Sequence, residues 1–417
     1  MPRPLTPLAD LYRRLPEGVR YSLRPLNALD ELSTHLSTPS RLAAQRFISG
    51  ARSITALVRG RGRLVRLSGV SAVDGGPLHA LVDLGREGEA FWGGLLFTGR
   101  PTRTIIGETR NPVDILRAGA GRLDADIVLL RHHRFARRIA ERAGFITIPS
   151  WVEATIDTRG TLKDALARTA RPRTLKSDLR RLEREGLEAR LGSGDDVATF
   201  LRDLYEPVAR ARWGASYVSL PHAWMRQAPR FCQVLWIERG GERLGGALLE
   251  PRGRELRDVA VGLRDAEDPH GIRAAQYYFA IKHAIDSGYE RLNVGGSRPV
   301  LSDGVLRTKL KWGAVLAPIL QWDYLALALP RGPQALRGFL GQHSLVAEMD
   351  GRLYGVVESA GAERAAPGLA GVIVPGTAGS ATLPGCVACV AQPPVPGTMT
   401  PARPGAVRSA PANSTTP

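Results

Sequence analysis

The chain has 417 residues and carries 57 Lys and Arg side chains against 40 Asp and Glu, a formal net charge of +17. Hydrophobic residues make up 43% of the sequence and charged residues 23%, a composition that excludes a wholly disordered chain. Three cysteines are too few for a disulfide framework, and no uninterrupted apolar run is long enough for a transmembrane helix. We therefore expect a cytoplasmic protein with no transmembrane segment.

The positive charge does not by itself identify a nucleic-acid-binding protein. Of the basic residues, 52 are Arg and five are Lys, a ratio that indicates coding bias as much as selection for phosphate contacts. The densest cluster, RHHRFARRIAER at 131–142, is typical of a helix with one solvated basic face. A site for a polyanion at this cluster stays open as an alternative.

After an N-terminal extension (1–44), the segment 45–150 predicts a first α/β unit. Its apolar runs are, in chain order, SITALVRG, RLVRLSGV, HALVDL, FWGGLLF, RTIIGE, DIVLLR and FITIPSWVEATID. The first two runs form a hairpin-like pair that turns at Arg61-Gly62. The basic cluster of 131–142 lies between the last two runs, as a helix that ends near Gly144.

The segment 151–335 predicts a second unit, with a clearer order of elements. Helices at about 161–185 and 195–212 precede three β-type runs, VLWIERG, ERLGGALLEPRG and RELRDVAVGL. Turn residues join these runs at Gly240-Gly241 and at Pro251-Arg252-Gly253, which predicts an antiparallel meander.

A helix from about Gly271 to Ser287 follows the meander, after the polar loop LRDAEDPH and before the strand RLNVGG. Its N-terminus opens beside a strand end, where free backbone N–H groups and the helix dipole attract a phosphate or a carboxylate. We therefore expect a ligand between Asp265 and Ala275.

The C-terminal part of the chain changes in composition. Residues 336–365 predict a helical closing segment, and residues 366–417 are rich in Pro, Ala and Gly and contain no acidic residue. Such a sequence cannot offset its ordering entropy, so we predict a disordered tail. Cys386 and Cys389 form one CVAC pair there, which is too little for a tetrahedral zinc site.

Three motifs between 150 and 330 resemble the GNAT acyltransferase superfamily. They are RPRTLKSDLRRLEREGLEAR at 171–190, ARARWG at 209–214 and, most specific, NVGGSRPVLSDGVLRTKLKWG at 293–313. Within the superfamily they are most similar to the branch of FemAB-type peptidyltransferases and BioF2-like acetyltransferase domains. The segment 45–150 is similar to this branch in layout only.

The resemblance implies a mixed α/β (α+β) fold with two GNAT-like units in tandem. The second unit would hold a donor groove between splayed parallel strands, at about 254–262 and 290–295. The implied activity is that of an N-acyltransferase without a metal, which moves an acyl group from acyl-CoA, acetyl-CoA or longer, to an amine. The acceptor would be a small molecule or a peptide.

The expected donor loop departs from the pattern of the superfamily, which is Gln/Arg-x-x-Gly-x-Gly/Ala. Here the loop reads Asp268-Pro269-His270-Gly271-Ile272-Arg273. Gly271 keeps the position where the backbone must approach the ligand, whereas Asp268 would repel a phosphate and Arg273 would attract one. The predicted donor-binding residues are Val259, Val261, His270, Gly271, Ile272, Arg273 and Ala274.

Attack of an amine on an ester or thioester needs a neutral amine, donors for the oxyanion and a proton for the leaving group. The resemblance implies oxyanion donors among the backbone N–H groups of 259–262. Asp258 is a candidate base, and the alternative for it is an ordinary ion pair. Tyr277 is a candidate acid, and the alternative for it is packing in the core. Asp303 and Lys309 lie in the most specific motif, where the resemblance implies that the Lys stabilises charge.

Four further residues are candidates for the acceptor side of the site. Asn293, Ser297 and Arg298 follow the strand RLNVGG, and Trp312 would form a wall. The alternative for the first three is an ordinary polar turn.

Two other functions remain open. One is a FemAB-like aminoacyltransferase that uses aminoacyl-tRNA and acts on a peptide or a cell-envelope precursor. The other is a catalytically inactive GNAT-like binding protein. Other chemistries have little support, because the eight His lack metal-ligand spacing and neither a Gly-x-Ser-x-Gly elbow nor a phosphate-binding Gly-x-x-x-x-Gly-Lys loop is present.

Overall fold

The computed structural model describes most of the chain between the first and the last strand. The described residues are 62–109, 115, 123–133, 136–169, 172–214, 220, 222–265, 267–268, 270–318, 323–328, 334–349, 352–356, 369–375 and 386–391. The predicted extension 1–44 and the run SITALVRG lie outside these ranges. The described residues form a mixed α+β fold with three sheets, which confirms the predicted fold class.

The first sheet has six strands in the spatial order β3-β1-β2-β4-β13-β5. Its strands are β1 (Gly62–Val70), β2 (Pro77–Asp83), β3 (Thr102–Thr109), β4 (Ile127–His133), β5 (Ile146–Pro149) and β13 (Asp323–Ala328). Strand β13 comes from the C-terminal half of the chain and pairs antiparallel with both β4 and β5. Two helices accompany this sheet, α1 (Gly85–Leu96) and α2 (Arg137–Arg142).

The apolar run FWGGLLF is helical, unlike the strands on either side of it in the sequence. It forms the end of α1, where Trp92 and Leu96 lie one turn apart and are both 1% exposed in the core of the first sheet. Side chains four residues apart share one face of a helix, so this spacing buries both against the sheet.

The second sheet has seven strands in the order β12-β6-β11-β10-β9-β8-β7. They are β6 (Val152–Asp157), β7 (Glu188–Ser193), β8 (Gln233–Arg239), β9 (Glu242–Arg252), β10 (Glu255–Leu263), β11 (Arg291–Ser297) and β12 (Val315–Pro318). The predicted meander is present as β8-β9-β10, with antiparallel ladders on both sides of β9. Strands β10 and β11 are the parallel neighbours at its centre.

Helices cover both faces of the second sheet. On one face lie α3 (Leu162–Ala167), α4 (Pro172–Glu185), α8 (Ile272–Asp286) and α9 (Gly304–Lys311). On the other face lie α5 (Asp195–Phe200), a π-helix (Leu201–Tyr205), α6 (Glu206–Trp213) and α7 (His222–Gln227). None of the described helices has the length and apolar character that crossing a membrane would require.

The third sheet consists of strands from the C-terminal part of the chain. Helix α10 (Gln334–Gln342) precedes β14 (Leu345–Met349), β15 (Arg352–Val356), β16 (Leu369–Pro375) and β17 (Cys386–Ala391), which pair in that order. The last two strands lie within the segment predicted to be disordered. Their apolar runs, LAGVIVP and CVACVA, provide the strand signal, and the rest of that segment lies outside the described residues.

Candidate active site

The central feature of the second sheet is the place where its two parallel strands separate. Strands β10 and β11 pair at three positions, the last of which joins Arg257 to Asn293. Both strands continue beyond this point, to Leu263 and Ser297, without further pairing to each other. The separation leaves a fork whose edges consist of unpaired backbone.

A β-bulge lies on each side of this fork. On β10, the ladder with β9 passes from Asp258 directly to Ala260, so that Val259 is the extra residue. On β11, the ladder with β6 passes from Asn293 to Gly296. Val259 therefore lies outside the ladders on both of its sides, which leaves its N–H group as a candidate oxyanion donor.

Lys309 reaches the fork from the last turn of α9. Its side chain is buried, with 5% exposed, and its Nζ donates to the carbonyl oxygens of Gly295 at 3.0 Å and Gly296 at 2.9 Å. An ammonium group has three hydrogens, so one of them remains after these two bonds. The protein thus holds a cation on the carbonyl groups of the β11 bulge.

Asp258 and Lys309 perturb each other's protonation. Burial raises the pKa of Asp258 to about 7, against the opposing attraction of Lys309 and Arg257. Burial likewise lowers the pKa of Lys309 to about 8, against the opposing attraction of Asp258. Asp258 Oδ1 is shielded from water and has no hydrogen-bond partner among the described residues. Two neighbouring groups whose pKa values lie near neutral pH are typical of sites of acid–base catalysis.

Tyr277 and Trp312 form a wall beside this pair. Their rings stack with centroids 5.7 Å apart and planes inclined by 7°. Burial, and secondarily the charge of Asp258, raise the pKa of Tyr277 well above its ordinary value, so its phenol stays protonated. Trp312 is 1% exposed and packs in the core of the second sheet.

Asn293 fixes the β11 bulge from inside the sheet. Its Oδ1 accepts from the backbone N–H of Gly295 at 2.9 Å, and its Nδ2 donates to Glu153 and to Glu255, the latter at 3.2 Å. Gly295 has a φ of +77°, and a Cβ there would lie 3.4 Å from the carbonyl oxygen of Asp258. Asn293 is therefore a support of the fork, with all of its amide groups in use.

The N-terminus of α8 binds a carboxylate of the protein itself. Asp268, whose φ is +57°, accepts from Ile272 N at 2.5 Å and from Arg273 N at 3.2 Å. Arg181 packs over Gly271, since a Cβ there would lie 3.1 Å from its Cδ. The side chain of Asp268 therefore occupies the N–H groups that were predicted to receive the phosphates of a donor. The sequence had also predicted that Asp268 would repel a phosphate.

A cleft of about 210 Å³ lies beside this helix end. Its charged lining residues are mixed in sign, with Arg239 and Arg264 against Glu242, Asp265 and Asp268, and His270 also lines it. His270 Nδ1 lies 2.9 Å from a carboxylate oxygen of Glu185 and is engaged there rather than free for a ligand. This cleft lacks the positive excess that a diphosphate needs.

The remaining predicted residues have distinct positions. Asp303 caps α9, its Oδ1 accepting from Val305 N at 2.9 Å and Leu306 N at 3.1 Å, which is a structural role. Arg298 lies over the ring of Trp151, with its Cζ 4.2 Å from the centroid. Ser297 is buried with its Oγ unpartnered among the described residues, and Val261, on the β10 edge of the fork, is 38% exposed. Ala274 packs against the core of the second sheet.

Comparison with known proteins gives distant structural likenesses only. No protein-family model and no curated protein matches the sequence. Among solved structures, L-PGS from Bacillus licheniformis is 17% identical over 66% of this chain and 87% of its own, with a TM-score of 0.32. FemX is 11% identical over 60% and 80%, with a TM-score of 0.35. A GCN5-related N-acetyltransferase-like protein from Streptococcus suis 89/1591 is 17% identical over 48% and 70%, with a TM-score of 0.27.

Proposed function

We propose that this chain is an acyltransferase that moves an acyl or aminoacyl group from an ester or thioester carrier to an amine. The observation that carries the proposal is the fork between β10 and β11, with Asp258 and Lys309 at its base. Unpaired backbone on β10 offers a donor to a carbonyl oxygen, and the two side chains offer a base and a cation within one shielded site.

In the proposed reaction, Asp258 acts first as a base and then as an acid, and two other groups stabilise the oxyanion. The amine nitrogen attacks the carbonyl carbon of the donor, and Asp258 takes the proton that the nitrogen loses. The N–H of Val259 and the charge of Lys309 stabilise the oxyanion that forms. When the C–O or C–S bond breaks, the proton on Asp258 passes to the departing alkoxide or thiolate. The products are an amide and the free carrier, and the protein returns to its starting state.

The end of α8 favours an aminoacyl ester over acyl-CoA as the donor. A diphosphate at this helix would have to displace Asp268 from two N–H groups and would meet two further carboxylates in the cleft. An aminoacyl-tRNA carries its ester at the end of the RNA chain, so this donor needs no diphosphate at the N-terminus of α8. The proposed acceptor is an amine of a small molecule or a peptide.

The test is transfer to hydroxylamine, a small nucleophile that needs no acceptor recognition. The full chain is incubated with hydroxylamine and with either acetyl-CoA or a pool of aminoacyl-tRNAs, and hydroxamate formation is measured above the uncatalysed rate. We expect catalysis with aminoacyl-tRNA, reduced about 100-fold in Asp258→Asn and in Lys309→Met. Lys282→Met is the matched control, because Lys282 is exposed and pairs only with Asp286 on α8.

The outcomes separate the candidate functions. Turnover of acetyl-CoA alone would show the acyl-CoA-dependent enzyme instead. If neither donor reacts above background and the Asp258 and Lys309 variants behave like the wild type, the chain is not a transferase and the fork is at most a binding groove.

A further inference from the structure

Arg257 is a partly buried cation that the proposed mechanism does not use. It is the last residue of β10 to pair with β11, and it directly precedes Asp258. Its guanidinium forms no hydrogen bond or salt bridge with any described residue, and its Nε is shielded from water. Burial lowers the pKa of Arg257, which reflects the cost of holding this charge away from water.

The carboxylates around Arg257 are engaged elsewhere. Glu250 stands directly across the ladder on β9, is fully buried, and lies 2.7 Å from Arg252. Glu153 and Glu255 both accept from the amide of Asn293. They lower the cost of burying the guanidinium by their charge, but none of them occupies its hydrogen-bonding positions.

The side chain of Arg257 belongs to the face of the sheet that is remote from α8. Its neighbours along the strand and across the ladder, Leu256 and Leu292, lie in the core that packs against α8. Because side chains alternate along a strand, Arg257 and its partner Asn293 point to the opposite face. An acceptor held by Arg257 would therefore approach the fork from the face opposite α8.

We propose that Arg257 binds an anionic group of the acceptor, a carboxylate or a phosphate, and thereby holds its amine at the fork. The inference rests on the proposed function, because it names the class of acceptor for the same site. A planar guanidinium binds either anion through two parallel hydrogen bonds, which orients the bound molecule as well as holding it. The unused donors of Arg257 are then filled only when the acceptor is present.

The experiment measures anion binding without any turnover. Thermal unfolding of the full chain is followed in sodium chloride, in inorganic phosphate and in acetate, at equal ionic strength and neutral pH. Ligands that bind the native state raise the midpoint, Tm, by mass action. The wild type is compared with Arg257→Gln, Arg257→Lys and Arg291→Gln. Arg291 is the matched control, since it lies on the neighbouring strand and is largely exposed.

We expect phosphate or acetate to raise Tm relative to chloride in the wild type and in Arg291→Gln. In Arg257→Gln the specific rise should vanish, which corresponds to anion binding weakened at least about tenfold. Arg257→Lys should keep a smaller rise, because it retains the charge and loses the paired geometry. The anion with the larger effect identifies the acceptor's group as a phosphate or a carboxylate.

Two results would overturn the proposal. One is an equal rise, or none, in the wild type and in Arg257→Gln. The other is failure of Arg257→Gln to fold, or a large loss of its stability in chloride, which would show that the guanidinium serves folding instead. Because the readout is anion binding, a protein that binds anions at Arg257 but fails to form hydroxamate would contradict the proposed function and leave this inference standing.

Discussion

At the scale of single residues, the proposed site depends on Asp258 and Lys309, and burial disfavours the charged form of each side chain. The proposed reaction needs Asp258 as a carboxylate and Lys309 as an ammonium. Burial raises the pKa of the first to about 7 and lowers that of the second to about 8. The rate of transfer should therefore rise as pH increases through about 7 and fall above about 8.

This pH profile is tested by comparing two lysines two residues apart. Lys309→Met should remove the alkaline limb together with most of the rate, because the titrating ammonium is gone. Lys311→Met should keep the bell shape, because Lys311 pairs with Asp178 outside the fork. A wild-type rate that stays level between pH 6 and pH 9 would show that this pair does not take part in the chemistry.

Gly295 is the residue on which the shape of the fork depends. Its φ of +77° is strained for any residue with a Cβ, and that Cβ would also touch the carbonyl oxygen of Asp258 at 3.4 Å. We expect Gly295→Ala to lower the free energy of unfolding by roughly 1–2 kcal/mol. Gly304→Ala is the control, since it has open space and a helical position and should be neutral. Urea unfolding measures both, and equal stabilities would show that the bulge relaxes without cost.

At the scale of secondary-structure elements, two helices on the second sheet begin with a carboxylate on their first N–H groups. Asp268 caps α8 and Asp303 caps α9. Replacing either by Ala should cost about 1 kcal/mol in unfolding free energy. Only Asp268→Ala should also increase the affinity for coenzyme A, because it frees the N–H groups beside the cleft and removes a negative charge.

Calorimetric titration of coenzyme A against both variants checks this prediction. The Asp303→Ala variant loses an equivalent cap on another helix and should bind coenzyme A no better than the wild type. If Asp268→Ala shows no gain either, the end of α8 is not a latent phosphate site.

Local signals in the sequence were sufficient for the elements that form the site. The turn residues around β9 and the helical spacing on α8 predicted the meander and the helix that follows it. The capping role of Asp268 was not predicted. Its carboxylate lies four residues before the N–H group that it accepts from, and it reaches that group only because the backbone of Asp268 is left-handed. Arg257 was not predicted as a site residue. It lacks a hydrogen-bond partner because Glu153 and Glu255 both accept from Asn293, which the sequence does not show.

At the scale of the whole molecule, the two large sheets are linked by the path of the chain and by side-chain contacts. Strand β13 lies between β4 and β5, although it follows the whole of the second sheet in the chain. Arg298, just after β11, lies over Trp151 and over Phe91 of α1. No local pattern in the sequence predicts such long-range pairing, because strand order is decided by packing between distant segments.

The central position of β13 in the first sheet has a consequence for any attempt to divide the molecule. A fragment that ends at residue 150 lacks β13, which leaves β4 and β5 without the strand that joins them. Unpaired backbone at two strand edges is costly and promotes association. We expect this fragment to show no cooperative unfolding transition in calorimetry, and to regain one when residues 151–417 are supplied as a second chain. A sharp transition in the isolated fragment would show that the first sheet closes without β13, and that the two sheets are independent folding units.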